Sequence, residues 1–220
     1  LMTASIMPLF FFLTLYMQRV LHFSPIESGL GQVPAALSFA LLGTPIAKLV
    51  SRVGYRVPAT VGGLLTGVGI FWLSRFDATG TYLSDILVPL TVAALGASLS
   101  FISLMIAATS EAPLSEAGLA SGLVNTTQQI GGAVGLAVLS TIAASGTTRA
   151  AEHGDAPLPA LTTGFSSGLT VAAGTAIAVG VLAAVLLRKS RRPTTDPAAA
   201  RAEHHMVGED PVAKPIPSIH

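Results

Sequence analysis

Six stretches of this chain carry no charged side chain: residues 1–18, 28–47, 57–74, 86–110, 117–148 and 156–187. An α-helix needs about 20 apolar residues to cross the hydrocarbon core of a bilayer, and these runs reach or approach that length. One such run can be a buried helix in a soluble protein. Six in succession, parted by short charged segments, predict an all-α membrane protein with six transmembrane helices. Composition agrees: 51% of residues are apolar and 10% charged, against roughly 25% charged in soluble domains.

The same composition excludes several function classes. Twelve Lys and Arg against eleven Asp and Glu leave a net charge of +1, and no basic stripe with interleaved aromatics offers a nucleic-acid surface. The absence of cysteine removes disulfides, thiol chemistry and cysteine-held metals. The tail pair His204-His205 has no spaced partners to complete a metal site, and neither a metal nor a cofactor is expected. The apolar runs hold no Asp, Glu, His, Lys or Arg, so the chain is not expected to be an enzyme. Starting at Leu1 in mid-helix, without a basic leader or a cleavage site, it reads as a segment cut from something longer.

In chain order, helix I is expected at about residues 2–21. Ser24-Pro25-Ile26-Glu27 then gives a helix start, with Ser at the N-cap, Pro in the first turn and Glu at the capping-box position. Helix II runs to about residue 50 and ends in a basic loop with Lys48, Arg52, Gly54 and Arg56. Helix III spans about 58–74, with Gly63 and Gly67 spaced for close packing, and helix IV about 86–109. Helix V follows a loop at 110–117, and a polar loop at 147–159 separates it from helix VI at about 163–187. Residues 1–187 form the predicted membrane domain. Residues 188–220, rich in Pro, Ala and charge, form a predicted disordered tail.

Basic residues predict the orientation. Lys48, Arg52, Arg56, Arg188, Lys189, Arg191 and Arg192 fall on one side, and Arg19, Arg75 and Arg149 on the other. The positive-inside rule makes the first side cytoplasmic, placing the C-terminus in the cytoplasm of a multi-pass plasma-membrane protein. A short internal echo accompanies this topology. Residues 25–30 (PIESGL) open helix II, and 113–119 (PLSEAGL) open helix V. Three helices separate the copies, so the second enters from the opposite face, as two inverted three-helix repeats would.

Helix V carries the most specific stretch, GLASGLVNTTQQIGGAVGLAVLS at 118–140. Gly118/Gly122 and Gly131/Gly135 are small-xxx-small pairs that let another helix come close. Asn125, Gln128 and Gln129 lie between them, and lipid cannot solvate their amides. Those amides suit either hydrogen bonding that holds the bundle together or the lining of an interface or water-filled cavity.

Three stretches, LYMQRVLHFSPIESGLGQVPAAL (15–37), KLVSRVGYR (48–56) and ASGLVNTTQQIGGAVGLAVL (120–139), resemble the C-terminal half of a major facilitator superfamily transporter, most closely its fourteen-helix drug:proton antiporter branch. The resemblance covers about residues 1–187. It implies one half of the major facilitator fold in the lipid bilayer, with a missing N-terminal half as partner. It further implies proton-coupled efflux of drug-like or other small molecules. By the same resemblance helices I and IV line a substrate cavity. Met7, Phe11, Thr14 and Gln18 share one face of helix I, and Thr91, Ser98 and Met105 one face of helix IV. Soft Phe and Met side chains suit apolar or cationic molecules, although the same residues also suit lipid or core. Gly118, Gly122, Asn125, Gln128, Gln129, Gly131 and Gly135 become candidates for the contact between halves, and Arg52, Gly54 and Arg56 for the cytoplasmic loop motif. That motif usually carries an acidic residue where this chain has Ser51. Glu27 and Glu116 suit helix N-termini, which leaves Asp85, near the outer end of helix IV, as the remaining candidate for proton coupling, although that depth favours an interfacial residue. The alternative function is a non-transporting assembly partner or the truncated remnant of a transporter gene.

Overall fold

A computed structural model describes residues 1–75, 82–109 and 116–187. Six helices make up almost all of it: α1 (Met2–Arg19), α2 (Pro25–Val53), α3 (Arg56–Leu73), α4 (Val88–Thr109), α5 (Ala117–Glu152) and α6 (Pro157–Leu186). A single π-helical turn, Tyr82–Leu87, leads into α4 and contains Asp85. The fold is all-α, with no strand among the described residues. The expected tail at 188–220 and the Pro113 end of the repeat motif lie outside the described residues. Helices α2 to α6 are long and apolar enough to cross a membrane. The 18-residue α1, ending in Gln18 and Arg19, falls outside that set, and all six expected helices are present.

The predicted start of α2 is present in full. Glu27 N–H donates to Ser24 Oγ at 3.3 Å, and Ser24 N–H donates to Glu27 Oε2 at 2.8 Å, so two otherwise unpaired amides satisfy each other's side chains. The expected loop at 147–159 is instead mostly helix. Here α5 continues to Glu152, and α6 already begins at Pro157. The Thr147 and Thr148 hydroxyls donate to the Ala143 and Ala144 carbonyls one turn back, so polar side chains continue the helix without competing for its backbone. The turn itself is residues 153–156, where Gly154 takes a φ of +94° and Pro157 restarts the helix at a position that needs no N–H.

Helix α3 lies at the centre of the packing. Its Gly62 and Gly69 face α4, while Gly63 and Gly67 face α6. A methyl group added at Gly63 would sit 2.6 Å from Gly180 N, and one at Gly69 would sit 2.4 Å from Ala93 N. Backbone therefore meets backbone, which maximises dispersion contact where lipid supplies no hydrophobic drive between helices. Ser100 Oγ bridges α4 to α3 by donating to Ala59 O at 3.1 Å. The pairing is consistent with two inverted repeats: α1 packs on α5 as α4 packs on α2, and α1 on α6 as α4 on α3. The exchange is imperfect, since α5 packs closely on α6 while α2 barely touches α3.

The three successive phenylalanines of α1 take three environments. Phe12 is buried and stacks on Phe165 at 5.8 Å, Phe11 is exposed, and Phe10 is half-buried. Leu9, Leu13, Tyr16 and Met17 join Phe12 in the main core with Leu169, Ala172 and Ala176 of α6.

Candidate functional site

The structure divides helix α5 into two segments of different character. From Gly132 onward it packs on the bundle: Gly132 faces Met7 and Thr3, Gly135 lies against Ala4, and Gly146 meets Gly164 and Ser167 of α6. The contact at Ala4 has a local cause. Pro8 has no N–H to give the Ala4 carbonyl four residues back, and that carbonyl lies against Gly135. Before Gly131 the helix is largely bare. A methyl group at Gly118 or Gly122 would meet nothing within 4 Å, and one at Gly131 only Leu1 N at 3.8 Å.

In this bare segment the half-buried residues Ala120, Val124 and Gln128 follow helical spacing on one face. The other described positions from 118 to 130 are exposed, and Gly118, Gly122, Asn125 and Gln129 form one line among them. Thr126 and Thr127 are satisfied by the Gly122 and Leu123 carbonyls. Asn125 and Gln129 have no comparable partner among the described residues.

On α1, Met7 and Phe11 are 45% and 43% exposed, with Thr14 and Gln18 half-buried beyond them. On α4, Ser98 is fully buried with its hydroxyl on Ala94 O, Thr91 is half-buried with its hydroxyl on Leu87 O, and Met105 is half-buried. Helices α1 and α4, which carry these two sets, touch only slightly.

A crevice of about 360 Å³ opens between α1 and α2 instead. Ile6 and Phe10 line it from α1, and Gly29, Gln32, Ala36 and Phe39 line it from α2. Among the described residues, Gln32 is its only polar wall residue. Gln32 Nε2 donates to Thr14 Oγ1 at 3.0 Å and to Ser28 O at 3.2 Å, while the Thr14 hydroxyl donates to Phe10 O at 2.8 Å. Thr14, one of the expected residues, thus sits against Gln32. The signal for Gln32 was present in the sequence, since it is the only side-chain amide in the charge-free run 28–47.

The basic loop is ordered by backbone geometry. Gly54, at a φ of +82°, closes α2 with its N–H on Val50 O, a conformation that favours glycine. Arg56, the first residue of α3, reaches the other end of the chain: Nε donates to Ala184 O at 2.9 Å, and Nη2 donates to the same carbonyl. Its guanidinium therefore caps the C-terminal end of α6, where unpaired carbonyls favour a cation. Arg52 is exposed.

Residues 1–136 match the family model of the Major Facilitator Superfamily. The chain belongs to that superfamily. It is 41% identical over 159 residues to the cephamycin export protein CmcT of Amycolatopsis lactamdurans, a match covering 70% of this chain and 33% of that protein. It is 38% identical over 184 residues to the puromycin resistance protein pur8 of Streptomyces alboniger, covering 81% and 36% respectively. The tetracenomycin C resistance and export protein of Streptomyces glaucescens is 34% identical over 137 residues, covering 61% and 25%. The chain therefore spans about a third of the length of these Major Facilitator relatives. Superfamily membership and five membrane-length helices make it a multi-pass membrane protein.

Proposed function

We propose that this chain is the C-terminal half of a proton-coupled efflux transporter for drug-like or other small molecules. Its partner is the N-terminal half, and its tail lies on the cytoplasmic side of the plasma membrane. The observation that carries this reading is the outward stripe of Gly118, Gly122, Asn125 and Gln129 on α5. Two amides facing hydrocarbon are costly, and a stripe that begins with two bare glycines accepts a second helix backbone closely. The relatives' names, cephamycin export and puromycin resistance, point to export, and the part of each relative that this chain does not match leaves room for the missing half. On this reading Gly135 serves the bundle itself, while Gly131 and Gln128 border the contact. Met7 and Phe11 are the exposed cavity residues. The basic loop of Arg52, Gly54 and Arg56 lies on the cytoplasmic face.

The chain is read as a transporter and not as an enzyme, and alone it supplies one wall of a path that needs two. The test is dye efflux from vesicles under an imposed pH gradient. Residues 1–220 alone should behave as empty vesicles do, and gradient-dependent efflux should appear when the N-terminal half is co-expressed. Gradient-driven efflux by residues 1–220 alone would falsify the half-transporter reading.

A further inference from the structure

We infer that the crevice between α1 and α2 is a binding site for neutral, largely apolar molecules that carry one hydrogen-bond donor, read by the Gln32 carbonyl oxygen. The inference deepens the export reading above, on which its place in transport rests, but the site itself stands on geometry.

The orientation of the Gln32 amide is fixed by what surrounds it. Ser28 O can only accept, and the Thr14 hydroxyl has already given its proton to Phe10 O. The end of the amide facing both must therefore be the NH₂ group, which leaves Oε1 as the unused end. Among the described residues nothing donates to it. The crevice thus presents one acceptor, held in place by two hydrogen bonds, in an otherwise apolar wall.

The remaining walls set the shape and charge of the ligand. Phe10 and Phe39 supply aromatic faces, and Phe39 is itself braced edge-on against Phe101 of α4 at 6.2 Å. Gly29 and Ala36 keep the α2 side shallow, with the fully buried Ala35 among the wall residues. A volume of about 360 Å³ lies within the range of small-molecule pockets. Among the described residues, none that lines the crevice is charged. Bringing an ion into such a wall costs more than one carbonyl returns, so the site favours a neutral donor over a cation. A ligand lacking the donor would leave Oε1 desolvated without a partner, which is how a buried polar group discriminates.

The experiment places residues 1–220 in lipid nanodiscs and measures binding of diphenylamine and N-methyldiphenylamine by equilibrium dialysis, after subtracting empty nanodiscs. The two probes share their aromatic surface and differ in the N–H donor. Diphenylamine should bind about five-fold more tightly, as one net hydrogen bond allows. Gln32→Leu should reduce that ratio to about one while leaving the N-methyl probe little changed. Gln32→Met serves as a second amide-free variant with a more adaptable side chain. Phe39→Ala should weaken both probes alike. A preference that survives in both Gln32 variants overturns the assignment, and so does binding no greater than that of empty nanodiscs. Binding that behaves as expected, while the co-expressed halves move no dye, leaves the site standing and removes the export reading.

Discussion

Replacing Gly96 with alanine should force α3 and α4 apart. The added Cβ would lie 2.4 Å from Thr66 N, 2.8 Å from Gly62 O and 2.9 Å from Leu65 C. All three are backbone atoms of α3, so no side chain can rotate away. Restoring ordinary contact requires α3 and α4 to separate by about 1 Å, and overpacking of this kind costs roughly 1–3 kcal/mol. Separation also threatens the Ser100–Ala59 hydrogen bond, worth about 0.6 kcal/mol between membrane helices. Gly62→Ala attacks the same seam from the other side, with its Cβ 2.4 Å from Ser100 N. The double variant should cost less than the sum, because the first methyl already opens the gap that the second needs. Gly122→Ala is the control. Its methyl meets nothing within 4 Å, and alanine is favoured over glycine in a helix by about 0.5–1 kcal/mol. The assay is detergent-induced unfolding followed by the fluorescence of Trp72, the chain's one tryptophan, which sits on α3. An unfolding midpoint for Gly96→Ala equal to the unsubstituted chain, or a loss in Gly122→Ala as large as in Gly96→Ala, would refute the packing argument.

Other perturbations test the remaining readings. Single cysteines in this cysteine-free chain report topology: with an impermeant thiol reagent on intact cells, Arg52→Cys should stay unlabelled and Gly154→Cys should react, and the reverse pattern overturns the orientation. Gly122→Leu or Gly131→Leu should abolish co-purification with the N-terminal half, while Leu136→Ala should be much milder; normal assembly by the glycine variants would mean the stripe meets no helix. Arg56→Ala should fray the end of α6, seen as faster hydrogen exchange at the Leu187 amide, which donates to Ala183 O. Its exposure keeps the stability loss to about 1 kcal/mol or less, and unchanged exchange would remove its capping role.

Helix existence and the capping box at Ser24 and Glu27 were legible in the sequence because both are local: they depend on side chains within a turn of each other. The loop expected at 147–159 misled for an equally local reason. Threonine reads as polar, yet its hydroxyl can be satisfied by the carbonyl one turn back, as Thr147 and Thr148 show. What the sequence could not supply was the identity of neighbours. Gly118/Gly122 and Gly131/Gly135 have the same spacing, but the first pair faces open space while Gly135 lies on Ala4. A small-xxx-small pair states that a backbone can approach, not which one does. The crevice was hidden for the same reason. Gln32 is the lone side-chain amide of its charge-free run, but its meaning depends on Thr14, eighteen residues away, being turned toward it.

At 36 residues, α5 is about 54 Å long at 1.5 Å per residue, well beyond the roughly 30 Å of a hydrocarbon core. Its later part packs one face on α1 and α6, while its first third carries the bare glycines Gly118 and Gly122. Helix α2 is related to α5 by the exchange of repeats, and it shows the same surplus. Gly29 and Gly43 would each admit a methyl group with nothing within 4 Å, and Val33, Ala36 and Ala40 between them are exposed. On the proposed reading, a second half must cover both lines, and the α1–α2 crevice borders the α2 line through Gly29 and Ala36. Contact along α2 would then narrow the approach to Gln32, while contact along α5 leaves it open. A ligand in the crevice and a helix packed on Gly29 compete for the same surface, and this competition would couple occupancy of the site to which line is closed.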